Sequence, residues 1–138
     1  MLVLYWLSKH GFECASVDHT GIDLIVRNPH SGEVMGISVK SRTRNKGTER
    51  ESVTIPAGDF GKMRDACKAF ECQPYFAIVV DAKDVIQVFI ASKSHLLKLA
   101  PKRCNSYWRM TATNLQRYAN DPEVMAFELR TETKRWWT

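Results

Sequence analysis

Two segments that alternate apolar and polar residues across a tight reversal constrain this chain more than any other feature. Residues 22–27, IDLIVR, place Ile22, Leu24 and Val26 on one face of an extended chain and Asp23, Ile25 and Arg27 on the other, the period of two that a strand imposes. The stretch NPHSG at 28–32 ends that alternation, because Pro29 cannot donate to a ladder and Ser31-Gly32 suits a sharp turn. The chain then returns over 34–42 with Met35, Ile37 and Val39 on one face, Ser38 and Lys40 on the other. An antiparallel hairpin is the simplest structure that satisfies both patterns.

The flanking segments extend this hairpin into an α/β domain. LVLYWLSK followed by His10-Gly11 has the apolar run, basic last turn and glycine stop of a short helix, and 12–17 forms a first strand before the polar turn at 18–21. Residues 41–52 are polar, aperiodic and read as an exposed loop. Phe60, Met63, Cys67 and Phe70 then recur at intervals of three and four, the buried stripe of a helix that lies across the sheet. Two apolar runs at 75–80 and 85–91 are strands, the first central. Beyond them the pattern predicts a short helix over 94–99 capped by Ser94, an edge strand over 107–110, a helix over 113–120 and a last strand over 124–129.

With 138 residues and 44% hydrophobic content the chain is expected to bury one core, and we read residues 1–138 as a single domain with a core at about 1–92 and an extension at about 93–138. The apolar run at 2–7 falls far below the roughly 20 residues that span a bilayer and lacks the flanks of an export signal. No CxxC pair or zinc-like spacing joins Cys14, Cys67, Cys72 and Cys104, so they are expected to be reduced and buried. The expected compartment is the cytoplasm, with no membrane partner. A formal charge of +5 favours a polyanion, and the charge is clustered: Lys40, Arg42, Arg44, Lys46 and Arg50 lie within eleven residues that include one acid, Glu49.

A helix, three strands, a helix and a strand in that order, with Asp23 in GIDLIV and Lys40 seventeen residues later in GISVKSR, resembles the PD-(D/E)xK superfamily of restriction endonuclease-like and Holliday junction resolvase-like nucleases. The resemblance covers about the first eighty residues. It implies an αβββαβ core with a central mixed sheet flanked by helices, and hydrolysis of DNA phosphodiester bonds assisted by Mg2+ or Mn2+. Asp23 would bind the metal, Lys40 would position the attacking water, and Ser38 would complete the catalytic set. Lys40, Arg42, Arg44 and Lys46 would meet the DNA backbone, and a homodimer would supply two centres for two strands. The chemistry explains the residue types: a divalent ion neutralises the developing oxyanion, and magnesium, which keeps several waters, needs only one or two protein carboxylates.

Two features depart from that pattern. The family expects Asp or Glu where Ser38 stands, and a hydroxyl is a neutral and weaker ligand; Asp18, Glu33, Glu51, Asp59 and Asp65 are the acids that could compensate. The first helix also lacks the Glu that related nucleases carry there. The competing reading is therefore a catalytically degenerate nuclease fold that binds nucleic acid or serves as an accessory protein. His10, His19, His30 and His95 show no ligand spacing and are assigned to no metal, and Trp108, Trp136 and Trp137 are assigned to cores or interfaces rather than to base stacking.

Overall fold

The computed structural model describes residues 1–131; Trp136 and Trp137 lie outside the described residues. The elements are α1 (Leu2–Lys9), β1 (Glu13–Ser16), β2 (Leu24–Arg27), β3 (Val34–Arg44), β4 (Val53–Ile55), α2 (Ala57–Ala69), β5 (Gln73–Ala82), β6 (Val85–Ser92), α3 (Lys93–Leu99), β7 (Ser106–Trp108), α4 (Ala112–Ala119) and β8 (Met125–Arg130). Six strands form one mixed sheet in the order β1-β2-β3-β5-β6-β8. Among the described residues only β3 and β5 are parallel, from Met35 opposite Gln73 to Arg44 opposite Ala82. A parallel pair needs a crossover, and α2 provides it. The restriction endonuclease-like arrangement of strands and flanking helices is present, with β4 added between β3 and α2.

Each face of the sheet buries its own apolar cluster. On one, Val3 and Leu7 of α1 meet Leu24, Val26, Met35, Ile37, Ala77, Val88 and Ile90. On the other, Phe60, Met63, Ala66 and Cys67 of α2 meet Ile22, Phe76, Ile78, Val80 and Phe89. Burial on both faces accounts for the near-continuous apolar run of β5. Trp108 stacks on Tyr118 of α4 at 3.9 Å between ring centroids and is fully buried, so it belongs to the core as its residue type suggested.

Local chemistry sets the element ends. Gly11 takes φ +89°, and the Phe12 N–H donates to Leu7 O while the Gly11 N–H donates to Ser8 O, the paired bonds by which a glycine closes a helix. At the hairpin the Asn28 N–H donates to Glu33 O and the Gly32 N–H to Asn28 O, and the Asn28 side chain accepts from the His30 N–H. The first N–H of α2, on Ala57, donates to the Asn105 side chain at 3.0 Å, so the long connection before β7 caps this helix.

Several expectations are corrected. The alternation does not begin at Ile22: β2 starts at Leu24, and Ile22 packs on the α2 side while Leu24 and Val26 pack on the α1 side. The basic segment is strand rather than loop as far as Arg44, because β5 extends alongside it. Residues 53–55 pair with β7 in a separate two-stranded sheet. Phe70 follows the last turn of α2 and is 44% exposed, so the apolar stripe stops at Cys67. Ser92, not Ser94, caps α3, its Oγ accepting from the His95 N–H. Cys104 is exposed; Cys67 and Cys72 are buried and unpaired.

Gly36 shows how closely α2 approaches the sheet. A Cβ added there would lie 2.5 Å from Cys72 Sγ and 2.8 Å from Cys67 Sγ, below any normal contact. Burial holds the Cys67 thiol protonated, with its pKa pushed up to about 12, so the two sulfurs serve as packing. Gly36→Ala is expected to cost about 1–3 kcal/mol by overpacking, measured by urea unfolding. Adding Cys72→Ala should recover part of that loss; equal stability of Gly36→Ala and wild type would show that α2 does not rest on this strand.

Candidate functional site

Asp23 sits where the chain crosses from one side of the sheet to the other. Gly21 lets the backbone pass directly beneath α2, since a Cβ there would lie 2.2 Å from Lys62 O. Ile22 then enters the α2-side core and Leu24 the α1-side core. Between them Asp23 is held at three points. Its N–H donates to Ile37 O at 2.8 Å and its C=O accepts from the Val17 N–H at 3.0 Å, while its carboxylate Oδ2 accepts from the Val39 N–H at 2.7 Å. Its side chain thus takes a place in the β2–β3 ladder that a backbone carbonyl would otherwise fill. The bond is charge-assisted, and it fixes an exposed carboxylate at a shallow depression shared with Met1, Val3, Ser16, Leu24, Val39 and Ser41.

Ser38 and Lys40 share the α2-facing side of β3, as their alternation predicted. Ser38 is only 6% exposed and lies opposite Phe76 of β5. Lys40 donates from Nζ to Asp59 Oδ2 at 2.5 Å, and both side chains are largely buried, 18% and 23% exposed. Asp59 stands in the first turn of α2, where a negative charge also complements the helix dipole. Among the described residues no hydrogen bond or ion pair joins Asp23 to Ser38 or Lys40; what links the two halves is Val39, whose N–H holds Asp23 and whose chain neighbour is Lys40.

Of the acids weighed as substitutes for the missing carboxylate, Asp59 is the one in contact with Lys40. Glu33 accepts from the Tyr75 hydroxyl at 2.9 Å, seven residues down the strand or roughly 23 Å away. Asp65 pairs with Arg64 at the surface, and Asp18 and Glu51 are exposed. Spacing could not single out Asp59, because its meeting with Lys40 depends on the depth at which α2 packs.

The basic run is partly consumed by the fold. Arg42 donates to Ser41 O and Thr54 O, and Arg44 to Ser52 O, so both guanidinium groups tie the 45–52 connection and β4 back to β3. Lys46 is exposed in that connection. Beside it the Gly47 N–H donates to the Glu49 carboxylate, and backbone hydrogen bonds hold the Glu49 pKa below its usual value.

Two places offer oxygen or nitrogen donors to a cation. Along β3 the donors are carboxylates, which suit a hard divalent ion in kind, and they stand apart: Asp23, whose Oδ1 has no protein partner among the described residues, borders the α1-side depression, whereas Asp59 is engaged by Lys40 on the α2 side. The second place was not visible in the sequence. His95, Asp121 and Glu123 bring one ligand atom each to within 4.8 Å of one another, close enough to hold a metal. In the structure His95 Nε2 is hydrogen-bonded to Asp121 Oδ2 at 2.7 Å, while Nδ1 lies 3.2 Å from Glu123 Oε2 without forming a hydrogen bond among the described residues. The group joins α3 to the turn before β8.

The hydrogen bond from His95 holds the Asp121 carboxyl below its ordinary pKa of 3.8. A carboxyl depressed on folding adds stability above its unfolded pKa and loses it as pH falls through the folded one. Wild type should therefore melt higher than Asp121→Asn at neutral pH, and the two melting temperatures should converge below about pH 4. A difference that persists unchanged at pH 3 would show that the His95 contact is not charge-dependent.

No protein-family model matches the sequence, and no curated protein does. Among solved structures, Archaeoglobus fulgidus Hjc, a Holliday junction resolvase from an archaeal hyperthermophile, superposes with a TM-score of 0.57 over 83% of this chain and 89% of that one, at 14% sequence identity. The chain thus shares the restriction endonuclease-like fold of a junction resolvase.

Proposed function

We propose that this chain is a cytoplasmic, metal-dependent nuclease that hydrolyses DNA phosphodiester bonds, with Asp23, Lys40 and Asp59 as its working residues. The observation that carries the proposal is the Lys40–Asp59 pair one residue from the amide that holds Asp23. Lys40 and Asp59 thereby attend the α2 side of β3, with Asp59 standing in for the carboxylate absent at Ser38, and Asp23 borders the same strand from the α1-side depression, held by the amide of Val39. The resolvase likeness of the fold adds support for branched or duplex DNA as substrate, and a homodimer would place one centre at each strand.

Magnesium or manganese, when bound, would supply charge neutralisation at the scissile phosphate. Asp23 is the residue to hold it, because one oxygen is anchored by the Val39 N–H and the other faces solvent. Lys40 contributes a positive charge and up to three donors to phosphate or attacking water. Asp59 orients that ammonium and can accept a proton from the water it holds. Ser38, buried beside them, contributes a neutral hydroxyl.

That same burial favours a second reading, a nuclease fold that binds DNA without cutting it, since a hydroxyl covered by α2 leaves the α2 side of β3 with one carboxylate already neutralised by Lys40. The variants Asp23→Asn, Lys40→Ala and Asp59→Asn, assayed for magnesium-dependent cleavage of plasmid and branched DNA, separate the two. Loss of cleavage by about 100-fold or more in the first two, with folding retained, is expected for the nuclease. Unchanged cleavage in both would remove the assignment. Absence of cleavage by wild type with every divalent ion, alongside salt-dependent binding, would select the binding protein. In that case the double variant Ser38→Glu, Asp59→Asn, which moves the acid to the position expected by resemblance, tests whether the rest of the site is intact.

A further inference from the structure

We propose that the depression bounded by α2 and α3 is a second anion site, shaped for the phosphodiester backbone of DNA and separate from the Lys40–Lys46 segment; the inference rests on the reading of DNA as substrate. Its walls include Gly58, Phe60, Gly61, Arg64, Lys93 and Lys102. Three cations from three different segments, the middle of α2, the start of α3 and the loop after α3, therefore converge on one concavity, and no acid lines it.

The arrangement of neighbouring charges keeps this concavity positive. Asp59 lies in the same turn as Gly58 and Phe60, but its carboxylate is turned to Lys40. Asp65 meets Arg64 at Nε, 3.2 Å away, while Arg64 Nη2 points back toward Gly61, 4.0 Å from where a Cβ would be. Lys102 holds its Nζ over the Phe60 ring at 5.0 Å from the centroid, a contact that places the ammonium without neutralising it. Neither Lys93 nor Lys102 has a carboxylate partner among the described residues.

The glycines add shape to charge. A Cβ at Gly58 would meet nothing within 4 Å, so the floor is open and two helical positions lack the side chains that would fill it. A nucleic-acid backbone is favoured over a small anion because three cations from three segments with no acid in the lining can meet more than one phosphate, each contact releasing condensed counterions. Since Gly58 and Phe60 flank Asp59, a strand lying here would pass beside the Lys40 site, extending the contact across α2.

The test measures labelled-duplex binding by fluorescence anisotropy across a salt series for wild type, the triple variant Arg64→Ala, Lys93→Ala, Lys102→Ala, and Gly61→Glu. The last variant replaces a helical glycine by a better helix former and puts a carboxylate into the trough at a position with room for it, so its melting temperature should equal or exceed that of wild type. The triple variant should reduce the log–log salt slope by about 2–3 and weaken binding at low salt about 10-fold or more, and Gly61→Glu should weaken it at undiminished stability. Wild-type binding with slope and affinity unchanged in both variants would overturn this site while leaving the cleavage assignment, which depends on Asp23 and Lys40, untouched. Failure of wild type to bind either duplex or branched DNA at low salt would overturn both. Loss of inorganic phosphate binding in the variants without loss of duplex binding would also overturn it, by showing a small-anion site.

Discussion

The parallel pairing of β3 with β5 governs the rest of the architecture. Two parallel neighbours cannot be joined by a tight turn, so the chain must leave the end of β3, travel back along one face as α2 and re-enter at β5. That crossover buries the even-numbered face of β3 beneath a helix and leaves the odd-numbered face to α1. Small residues make the closure possible, since Gly21 and Gly36 leave no side chain where Lys62 O and the two cysteine sulfurs sit. Because α2 packs that close, its first turn delivers Asp59 to Lys40. The ion pair is thus a consequence of backbone approach, and the chemistry of the site depends on two glycines that never touch it.

Much of this order was legible in the chain because it is local. The hairpin could be read from alternation and from NPHSG, the shared face of Ser38 and Lys40 from their separation by two, and α1 from its apolar run and Gly11. What escaped were the contacts set by distant partners. The alternation of 22–27 looked uniform because Ile22, Leu24 and Val26 are all apolar, yet Ile22 belongs to the opposite core; the same composition serves either face, and only the anchoring of Asp23 by Val17, Ile37 and Val39 reveals the break. The strand at 53–55 is three residues long, and its partner lies some fifty positions on, too short a run to show a period. Arg42 and Arg44 read as cations that meet DNA, and their bonds to Thr54 O and Ser52 O depend on the extension of β3 alongside β5, which spacing does not show. His95 and Asp121 are 26 positions apart, so no ligand spacing could betray them.

Charge balance around Lys40 explains why a serine stands at position 38. A largely covered lysine is better tolerated beside a carboxylate, because their attraction offsets part of the cost of taking each charge out of water. A second carboxylate at 38, only 6% exposed in its present form, would sit near Asp59 with one cation between them. Two like charges sharing one cation in a partly covered site repel, a cost that a small, marginally stable domain bears poorly. The acid can therefore occupy the strand or the helix, and a chain that has it on the helix gains by carrying a neutral residue on the strand. Serine is small enough to lie beneath α2 and polar enough to tolerate the lysine beside it. On this reasoning Ser38 and Asp59 are two parts of one charge balance around Lys40, a neutral residue on the strand and an acid on the helix.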